Sequence, residues 1–400
     1  MSHSRIAERF WDGRLIAAGT VIAAVATSVG ASPPWPANET HSKAQSSIEL
    51  CLRGSQVPGA TAALVASDGT TIELATGFAD RLGRVRMKPD SLMLSGSIGK
   101  TFVSATVLQL VAERRLGLDD KLAAYLGERP WFARLPNGRD ITLRSLLNHT
   151  SGLIDHGDDS EFEAVLRRDP GRRWAHEELV QFLLDKAPLG PVGEIYRYSD
   201  TNYILLGLVI EKITRATFYA EATRRFLRPL KLDRTAPSDK AVLPGLVSGY
   251  VNADNIYGLP ADVSSNGRDV LNPQVEWTGG GFITNSRDLA KWAQALYGGS
   301  AIGATQREMM FSNTAKGKAD PKYGLGVYEW PTDLGTAYGH QGDFPGYWSV
   351  MLYFPRQRMA VAMQFNTDDE KAFAIPPLQC AINLASAVLG KKVAVSLGRS

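Results

Sequence analysis

The sequence predicts a protein of the α/β (α+β) class, in which an antiparallel sheet is built from both ends of the chain. Residues 59–66 and 71–77 alternate as two strands around an Asp-Gly turn, and residues 347–354 and 359–365 form a second hairpin pattern. Between the hairpins the apolar spacing is mostly helical. Strands at both ends with helices between them indicate a sheet flanked by N- and C-terminal helices and interrupted by a mostly helical insertion.

The first 31 residues have the pattern of an export signal. Arg5, Arg9 and Arg14 precede an apolar stretch over 15–31, which ends in small residues suited to signal peptidase. We expect cleavage after Ala31 and a periplasmic or secreted product with no stable membrane span. The stretch also has the length of a short membrane span, so a retained anchor is the alternative. The Pro-rich segment that follows predicts an exposed linker over 32–42.

The rest of the chain divides into three predicted parts, which are the first part of a sheet subdomain over 43–92, a mostly helical subdomain over 93–270 and the second part of the sheet subdomain over 271–400. Helical patterns cover 44–54, 100–116, 143–147, 175–185, 203–214, 221–226, 286–297 and 378–389. Two irregular stretches, 155–173 and 236–275, are rich in Asp, Gly, Pro and Asn. Long loops of this kind commonly shape access to a substrate site.

The chain has two cysteines, Cys51 and Cys380. An even number of cysteines in an exported chain permits one disulfide. If the first and last helices cover the same face of the sheet, the two cysteines approach each other, and we predict that they are bonded. Two buried free thiols are the alternative, which the spacing alone does not exclude.

The composition limits the classes of partner. A formal net charge of +3 over 400 residues, without a block of Lys and Arg, gives little support for nucleic-acid binding. The six histidines show no metal-ligand spacing. A phosphate-binding loop ending at Lys100 would need glycine where the chain has Leu94. We therefore expect no cofactor, no metal and no nucleic acid, and a small-molecule or peptide substrate.

The segment Ser97-Ile98-Gly99-Lys100 stands at the head of a helical run over 101–111. A serine and a lysine three positions apart on a helix share one face, so the amine can reach the hydroxyl. A lysine whose pKa is lowered by burial can act as a base toward that hydroxyl. No second Ser-x-x-Lys pair occurs in the chain. Taken alone the pair is a weak signal, because a lysine at a helix end is commonly just solvated.

Two further motifs follow along the chain. Tyr198-Ser199-Asp200 lies in the turn before the helix at 203–214, and Gly339-His340-Gln341-Gly342-Asp343 lies immediately before the strand at 347–354. Each is weak by itself, because a tyrosine in a turn usually packs and a histidine between glycines is usually a turn residue. The order and spacing of all three motifs carry more information.

These three motifs resemble those of the serine β-lactamase/penicillin-binding superfamily, and most closely its class C-related branch, similar to peptidase family S12. The segments 146–153, 279–282 and 286–289 are similar to that branch as well, and the resemblance covers about 45–390. It implies a β-lactamase/transpeptidase-like fold and a serine hydrolase of the D-alanyl-D-alanine carboxypeptidase, D-amino-acid peptidase or carboxylesterase type. The substrate would be a peptidoglycan stem peptide, an ester or an amide. A weak β-lactamase and a catalytically silent penicillin-recognising sensor are the alternatives.

The resemblance also implies roles for individual residues. Ser97 would be the nucleophile that forms the acyl-enzyme, and Lys100 and Tyr198 would share the work of the general base. Backbone N–H groups of Ser97 and Asp343 would form the oxyanion hole. The residues implied in substrate binding are Asp200, His340, Gly342 and Asp343. His149 belongs to the segment 146–153, which looks structural, and it is not included among the catalytic residues.

Two positions depart from the family pattern. Asp200 stands where the family often has Asn, and a carboxylate beside Lys100 would hold that amine protonated and move the role of base toward Tyr198. His340 and Gln341 stand where β-lactamases of the superfamily have Lys and Thr, so less charge is available for a substrate carboxylate. This argues against an efficient β-lactamase. If a neutral His340 is required, activity should fall as the pH drops through the titration of that histidine.

Overall fold

The structure is a computed structural model that describes residues 37–252, 254–312 and 322–391. The predicted export signal over 1–31 lies outside these residues. Helix α1 (Ala37–Leu52) begins directly after Pro36, so the predicted linker over 32–42 is helical from residue 37 onward, and Thr40 is buried. The prolines of this segment suggested a linker. Proline is also common at the start of a helix, so these prolines are compatible with a helix that begins at Ala37.

In the described part of the chain, eight strands form one antiparallel sheet in the order β3-β2-β1-β13-β12-β11-β10-β9. Because β1 pairs with β13, with Ala60 opposite Phe365, the two ends of the chain meet in the middle of the sheet, as predicted. The strands are β1 (Gly59–Val65), β2 (Thr71–Asp80), β3 (Val85–Arg86), β9 (Lys322–Tyr323), β10 (Tyr328–Thr332), β11 (Gly335–Phe344), β12 (Tyr347–Phe354) and β13 (Met359–Phe365).

The helices cover both faces of the sheet and fill the insertion between its two halves. They are α2 (Lys100–Ala112), α3 (Ala123–Leu126), α4 (Leu143–Leu147), α5 (Ser160–Arg168), α6 (Asp200–Thr214), α7 (Phe218–Ala222), α8 (Ser286–Gly298), α9 (Ala304–Ser312) and α10 (Pro377–Val388). Short strands lie in the insertion and next to it, namely β4 (Met93–Leu94), β5 (Ala236–Pro237), β6 (Ser264–Ser265), β7 (Arg268–Asp269) and β8 (Phe282–Thr284). No helix among the described residues is long and apolar enough to cross a membrane.

Helices α1 and α10 pack together on one face of the sheet, and α8 covers the other face. Cys51 of α1 and Cys380 of α10 form a disulfide with their Cα atoms 5.7 Å apart, which confirms the predicted pairing. On the opposite face, the Ser286 hydroxyl at the start of α8 lies 2.7 Å from the Thr61 hydroxyl of β1. The sheet is therefore covered by helices on both faces.

Three local predictions differ from the structure. The stretch 175–185 forms a 3₁₀ segment (His176–Leu183) and not an α-helix, and the irregular stretch 155–173 contains helix α5, which Asp159 caps through its side chain. The motif around His340 lies inside strand β11 and not before a strand. The glycines on either side of His340 suggested a turn. The segment is a strand because it pairs with β12, with His340 opposite Met351, and this pairing is set by the tertiary structure.

Candidate active site

Ser97 lies in a 3₁₀ turn (Gly96–Gly99) that leads directly into α2. Gly96 has a φ of 53°, a left-handed conformation that glycine adopts at little cost. The turn directs the Ser97 side chain toward the first residue of the helix, and Lys100 Nζ donates a hydrogen bond of 2.8 Å to Ser97 Oγ. The structure thus places the Ser-x-x-Lys pair in direct contact, with Ser97 only 7% exposed.

Lys100 is completely buried, and its amine has three polar partners. Besides Ser97 Oγ, it donates to the carbonyl oxygen of Gly279 and forms an ion pair with Asp200, whose Oδ1 lies 2.6 Å from Nζ. A buried cation needs this kind of compensation, because desolvation of an unpaired charge is costly. The Asp200 contact agrees with the hypothesis that this carboxylate holds the Lys100 ammonium.

Tyr198 is buried beside the same pair. The centre of its ring lies 5.0 Å from Lys100 Nζ. Burial, reinforced by the nearby Asp200 carboxylate, raises the pKa of Tyr198 well above its usual value. A tyrosinate base at position 198 would need a lowered pKa. Because the pKa of Tyr198 is raised, this environment does not favour a preformed tyrosinate.

The start of α6 is fixed by residues from the 149–155 segment. The Ser199 N–H donates to His149 Nδ1 at 3.2 Å, and the Asp200 N–H donates to Asp155 Oδ2 at 2.5 Å. The His149 ring also packs on Tyr198, with 4.3 Å between ring centres. Sequence reasoning left both residues out of the site. The resemblance of 146–153 to the family was the available signal for His149.

Asp155 is a buried carboxyl group next to Asp200. Burial and the Asp200 charge raise the pKa of Asp155 to about 7, against the partial relief given by the backbone N–H groups of Asp200 and Gly157. The Asp155 carboxyl therefore titrates near neutral pH. It lies within hydrogen-bond distance of Asp200, the residue that forms the ion pair with Lys100.

His340 lies on β11 with its side chain buried on the Tyr198 side of the strand. Its Nε2 is 3.0 Å from the hydroxyl of Tyr323, and its Nδ1 contacts the carbonyl oxygen of Gln341. Burial and the Lys100 charge lower the pKa of His340 to about 3. The imidazole therefore stays neutral between pH 5 and 8, and any fall in activity through the titration of His340 is expected only in more acidic solution.

The backbone of β11 approaches the Ser97 turn very closely. A Cβ added to Gly342 would lie 2.1 Å from the Ser95 carbonyl oxygen and 2.7 Å from the Ser97 nitrogen, and one added to Gly96 would lie 2.6 Å from the Asp343 nitrogen. Only glycines permit this approach. As a result, the backbone nitrogens of Ser97 and Asp343, the two predicted oxyanion-hole donors, lie on two backbone segments that pack directly against each other.

A pocket lies next to the ion pair of Lys100 and Asp200, and Asp200 forms part of its lining. Its charged lining residues are Asp200 and Glu276, and His156 also contributes to its wall. Among the described residues that line it, none is a lysine or an arginine. Tyr257 comes from the irregular stretch 236–275, which was expected to shape access, whereas Glu276 was not anticipated. The apolar lining residues are Phe162, Leu166, Tyr257, Leu271, Val275 and Phe344.

A buried serine–lysine–tyrosine cluster between a helical region and strand β11 of an antiparallel sheet defines a serine hydrolase of the penicillin-recognising class. The sequence profile of the β-lactamase family matches residues 44–379, and this chain belongs to that family.

Individual relatives are more distant. Penicillin-binding protein 4* of Bacillus subtilis is 26% identical over 320 residues, which cover 76% of this chain and 67% of that protein. Protein flp of Staphylococcus aureus is 28% identical over 200 residues, which cover 50% of this chain and only 38% of that protein. Among solved structures, a D-stereospecific amidohydrolase from Streptomyces sp. has a TM-score of 0.74 and 27% identity, and the match covers 88% of this chain and 99% of that one.

Proposed function

We propose that this chain is an exported serine hydrolase that forms an acyl-enzyme on Ser97 and cleaves amide or peptide bonds next to a D-amino acid. The observation that carries the proposal is the contact of a buried serine hydroxyl with a lysine amine, with a tyrosine ring beside them. Ser97 Oγ accepts a hydrogen bond from Lys100 Nζ at 2.8 Å, and the centre of the buried Tyr198 ring lies 5.0 Å from the same Nζ. A nucleophile held between a cation and a proton carrier is the arrangement that acyl transfer requires.

The proton movements of acylation follow from these contacts. Ser97 Oγ attacks the substrate carbonyl carbon while its proton passes to the Tyr198 oxygen, and Tyr198 delivers its own proton to the leaving nitrogen. The phenol stays neutral overall, which is consistent with its raised pKa. Lys100 polarises Ser97 Oγ through its hydrogen bond and stabilises the charge that develops there.

The tetrahedral oxyanion would be bound by the Ser97 and Asp343 N–H groups, each such donor contributing about 3–4 kcal/mol in the transition state. The C–N bond then breaks, and the amine leaves with the proton from Tyr198. Water enters in its place, gives its proton back through Tyr198, and releases the acid with the Ser97 hydroxyl restored.

Two observations support an amide or peptide substrate. A solved relative, 27% identical, is a D-stereospecific amidohydrolase. The β11 wall presents a neutral imidazole where β-lactamases of the superfamily have lysine, and His340 stays neutral because its pKa is about 3. A carboxypeptidase or β-lactamase would need a positive charge for the substrate carboxylate, so these activities, like that of a carboxylesterase, are alternatives within the same chemistry.

Export is supported by the N-terminal pattern and by the disulfide. A bond between Cys51 and Cys380 suits an oxidising compartment such as the periplasm or the medium.

The function is tested by covalent labelling and turnover. A fluorophosphonate should label the wild-type protein stoichiometrically and should fail to label Ser97→Ala, while Ser300→Ala, which changes an exposed serine, serves as the matched control. A D-amino-acid amide should then be hydrolysed faster than a D-Ala-D-Ala peptide, a short-chain ester or nitrocefin. Labelling without turnover of any of these would overturn the enzymatic proposal in favour of a sensor.

A further inference from the structure

We infer that the hairpin formed by β2 and β3 binds the surface of a bilayer that contains anionic phospholipids. The basic hairpin is defined as residues 81–88, which contain β3 and the turn that precedes it. Their sequence is Arg-Leu-Gly-Arg-Val-Arg-Met-Lys. This surface would hold the protein against a membrane without a helix that spans it, whichever bond the enzyme cleaves.

The first feature of the basic hairpin is its charge. It contains no carboxylate and four cations, which are Arg81, Arg84, Arg86 and Lys88. All four are exposed, and none of them forms an ion pair within the described part of the chain. Elsewhere on the surface arginines are paired, as Arg134 is with Asp185 at 2.6 Å. The four cations exceed the formal net charge of +3 of the whole chain, so the hairpin alone accounts for its excess of positive charge.

The two carboxylates that flank the basic hairpin do not cancel this charge. Asp80 Oδ1 accepts a hydrogen bond of 2.9 Å from the Gly83 N–H, so this carboxylate closes the turn. Next to Asp90, the guanidinium of the exposed Arg234 donates to the Asp90 carbonyl oxygen at 3.3 Å and adds a fifth cation to the surface. A bilayer that approaches the hairpin therefore meets an excess of positive charge, which anionic headgroups complement.

Two aliphatic side chains lie between the cations. Leu82 is 76% exposed and Val85 is 52% exposed, the two largest fractions among the large hydrophobic residues that the structure describes. A polyanion such as a nucleic acid would complement the cations but would leave both aliphatic groups in water. A bilayer surface offers anionic headgroups together with an apolar boundary below them, so the combination favours a bilayer.

The rest of the fold holds the basic hairpin in place. The Arg81 N–H donates to the Tyr250 hydroxyl at 2.8 Å, and the Arg81 guanidinium lies 4.8 Å from the centre of the Tyr250 ring. The Arg86 guanidinium lies 4.5 Å from the centre of the Phe78 ring, on the residue with which Arg86 pairs between β2 and β3. Because these cations are already positioned, little conformational entropy is lost when they contact a surface.

The basic hairpin is also near the nucleophile along the chain. The backbone from Lys88 to Ser97 is short, and a fully extended segment of that length spans at most about 30 Å. A hairpin bound to a bilayer would therefore keep Ser97 close to the membrane surface, where it would meet substrates attached to or released from that surface.

Sedimentation with lipid vesicles tests this inference. The mature product expected after cleavage begins at Ser32 and keeps every residue that the structure describes. In about 0.1 M NaCl it should bind vesicles of phosphatidylcholine with about 30% phosphatidylglycerol at least about tenfold more tightly than vesicles of phosphatidylcholine alone. Equal binding to the two kinds of vesicle would overturn the inference.

A variant with the three substitutions Arg81→Gln, Arg84→Gln and Arg86→Gln should bind the anionic vesicles about 10²-fold more weakly, because each cation near the surface contributes about fivefold. The matched control has Arg139→Gln, Arg173→Gln and Arg356→Gln, which remove the same charge from exposed arginines elsewhere. Its binding should change by less than about threefold, since distant charges are screened. Equal losses in the two variants would show that net charge, and not the hairpin, attracts the vesicles.

Leu82→Ser tests the apolar part of the surface and should weaken binding to the anionic vesicles by about fivefold. Leu189→Ser changes a leucine that is 44% exposed outside the hairpin and should have no effect. If Leu82→Ser bound like wild type and polyglutamate competed fully with the vesicles, the partner would be a polyanion and not a bilayer.

Two controls separate this inference from the proposed function. The rate at which a fluorophosphonate labels Ser97 should be unaltered in every hairpin variant, and far-UV circular dichroism checks that each variant is folded. Ser97→Ala should bind the anionic vesicles as the wild-type protein does. Loss of labelling in the wild-type protein would overturn the proposed function and leave the vesicle result intact, so the two failures are distinguishable.

Discussion

The helical region and the sheet contribute different kinds of groups to the same site. The helical region supplies side chains whose charges are paired in buried surroundings, such as Lys100 with Asp200. The sheet supplies backbone, through the close approach of Gly342 to the Ser97 turn, together with a neutral His340. The reaction should therefore depend on the functional groups of side chains from the helical region. From the sheet it should depend on a position without a side chain, Gly342, which lets the β11 backbone approach Ser97.

The largest expected effect is on the helical side. Lys100→Met removes the cation that polarises Ser97 Oγ and leaves Asp200 without its 2.6 Å partner. The acylation rate should fall by about 10³-fold or more, measured as the rate of fluorophosphonate labelling and as kcat/KM for an ester. Lys371→Met changes a lysine that is 85% exposed and should leave both rates unaltered. If the acylation rate of Lys100→Met stayed within tenfold of the wild-type rate, the reaction would not depend on the charged side chains of the helical region.

The next effect is on the sheet side, where volume should matter. Gly342→Ala places a Cβ 2.1 Å from the Ser95 carbonyl oxygen and so pushes β11 away from the Ser97 turn. With the Asp343 N–H displaced, kcat should fall by about 10²-fold. Gly171→Ala meets no atom closer than 3.9 Å and serves as the control. If Gly342→Ala kept full kcat, the β11 backbone would not be part of the oxyanion hole.

The disulfide belongs to the sheet side and should separate stability from rate. Replacing Cys51 and Cys380 together by serine removes a link between residues 329 positions apart. The free energy of unfolding in urea should fall by about 2–4 kcal/mol, while kcat/KM stays within about twofold of wild type. Wild-type protein unfolded under reducing conditions should show the same loss. A large fall in kcat/KM would mean that α1 and α10 help to position the site.

The smallest effects are two pH slopes of opposite sign. The pKa of Asp155 is raised from 3.8 to about 7, so the folded state keeps a proton that the unfolded state loses, and this group lowers stability as the pH rises from about 4 to 7. The pKa of His340 is lowered from 6.5 to about 3, so the unfolded state gains a proton that the folded state refuses, and stability falls as the pH drops below about 6.5.

Asp155→Asn should therefore make stability rise more steeply with pH between 4.5 and 6.5, and His340→Asn should make it rise less steeply, each by up to about 1.4 kcal/mol per pH unit. Urea unfolding at several pH values measures both slopes. Slopes parallel to wild type in both variants would contradict the assigned environments. Between pH 5 and 8 the activity profile of His340→Asn should have the same shape as that of wild type, because the imidazole does not titrate there.

Much of the fold could be predicted because it depends on local patterns. The strands β12 and β13 have the predicted bounds, and α4 does too, since alternation and helical spacing are visible within a few residues. The nucleophile motif could also be found locally, because Ser97 and Lys100 are one helical turn apart. The strand around His340 was missed, since its pairing with β12 is not a property of a glycine-flanked segment.

The other parts of the site depend on contacts between distant segments. The Gly279 carbonyl that accepts from Lys100 is 179 residues away from it, and the Asp155 carboxylate that holds α6 is 45 residues before Asp200. Glu276 lines the pocket from a position between the irregular stretch 236–275 and the segment 279–282, which the sequence did not single out. No spacing rule predicts such partners, because they are brought together by the packing of the helical region on the sheet.

The sequence by itself determined the family, the order of the elements and the identity of Ser97, Lys100 and Tyr198 as the chemical groups of the site. Only the tertiary structure decided the protonation of Tyr198, Asp155 and His340. Burial raises the pKa of Tyr198 and of Asp155 and lowers that of His340, and each shift depends on solvent exclusion and on neighbours from other elements. A pKa in a folded protein is a property of the environment, and the environment of this site is assembled from the whole chain.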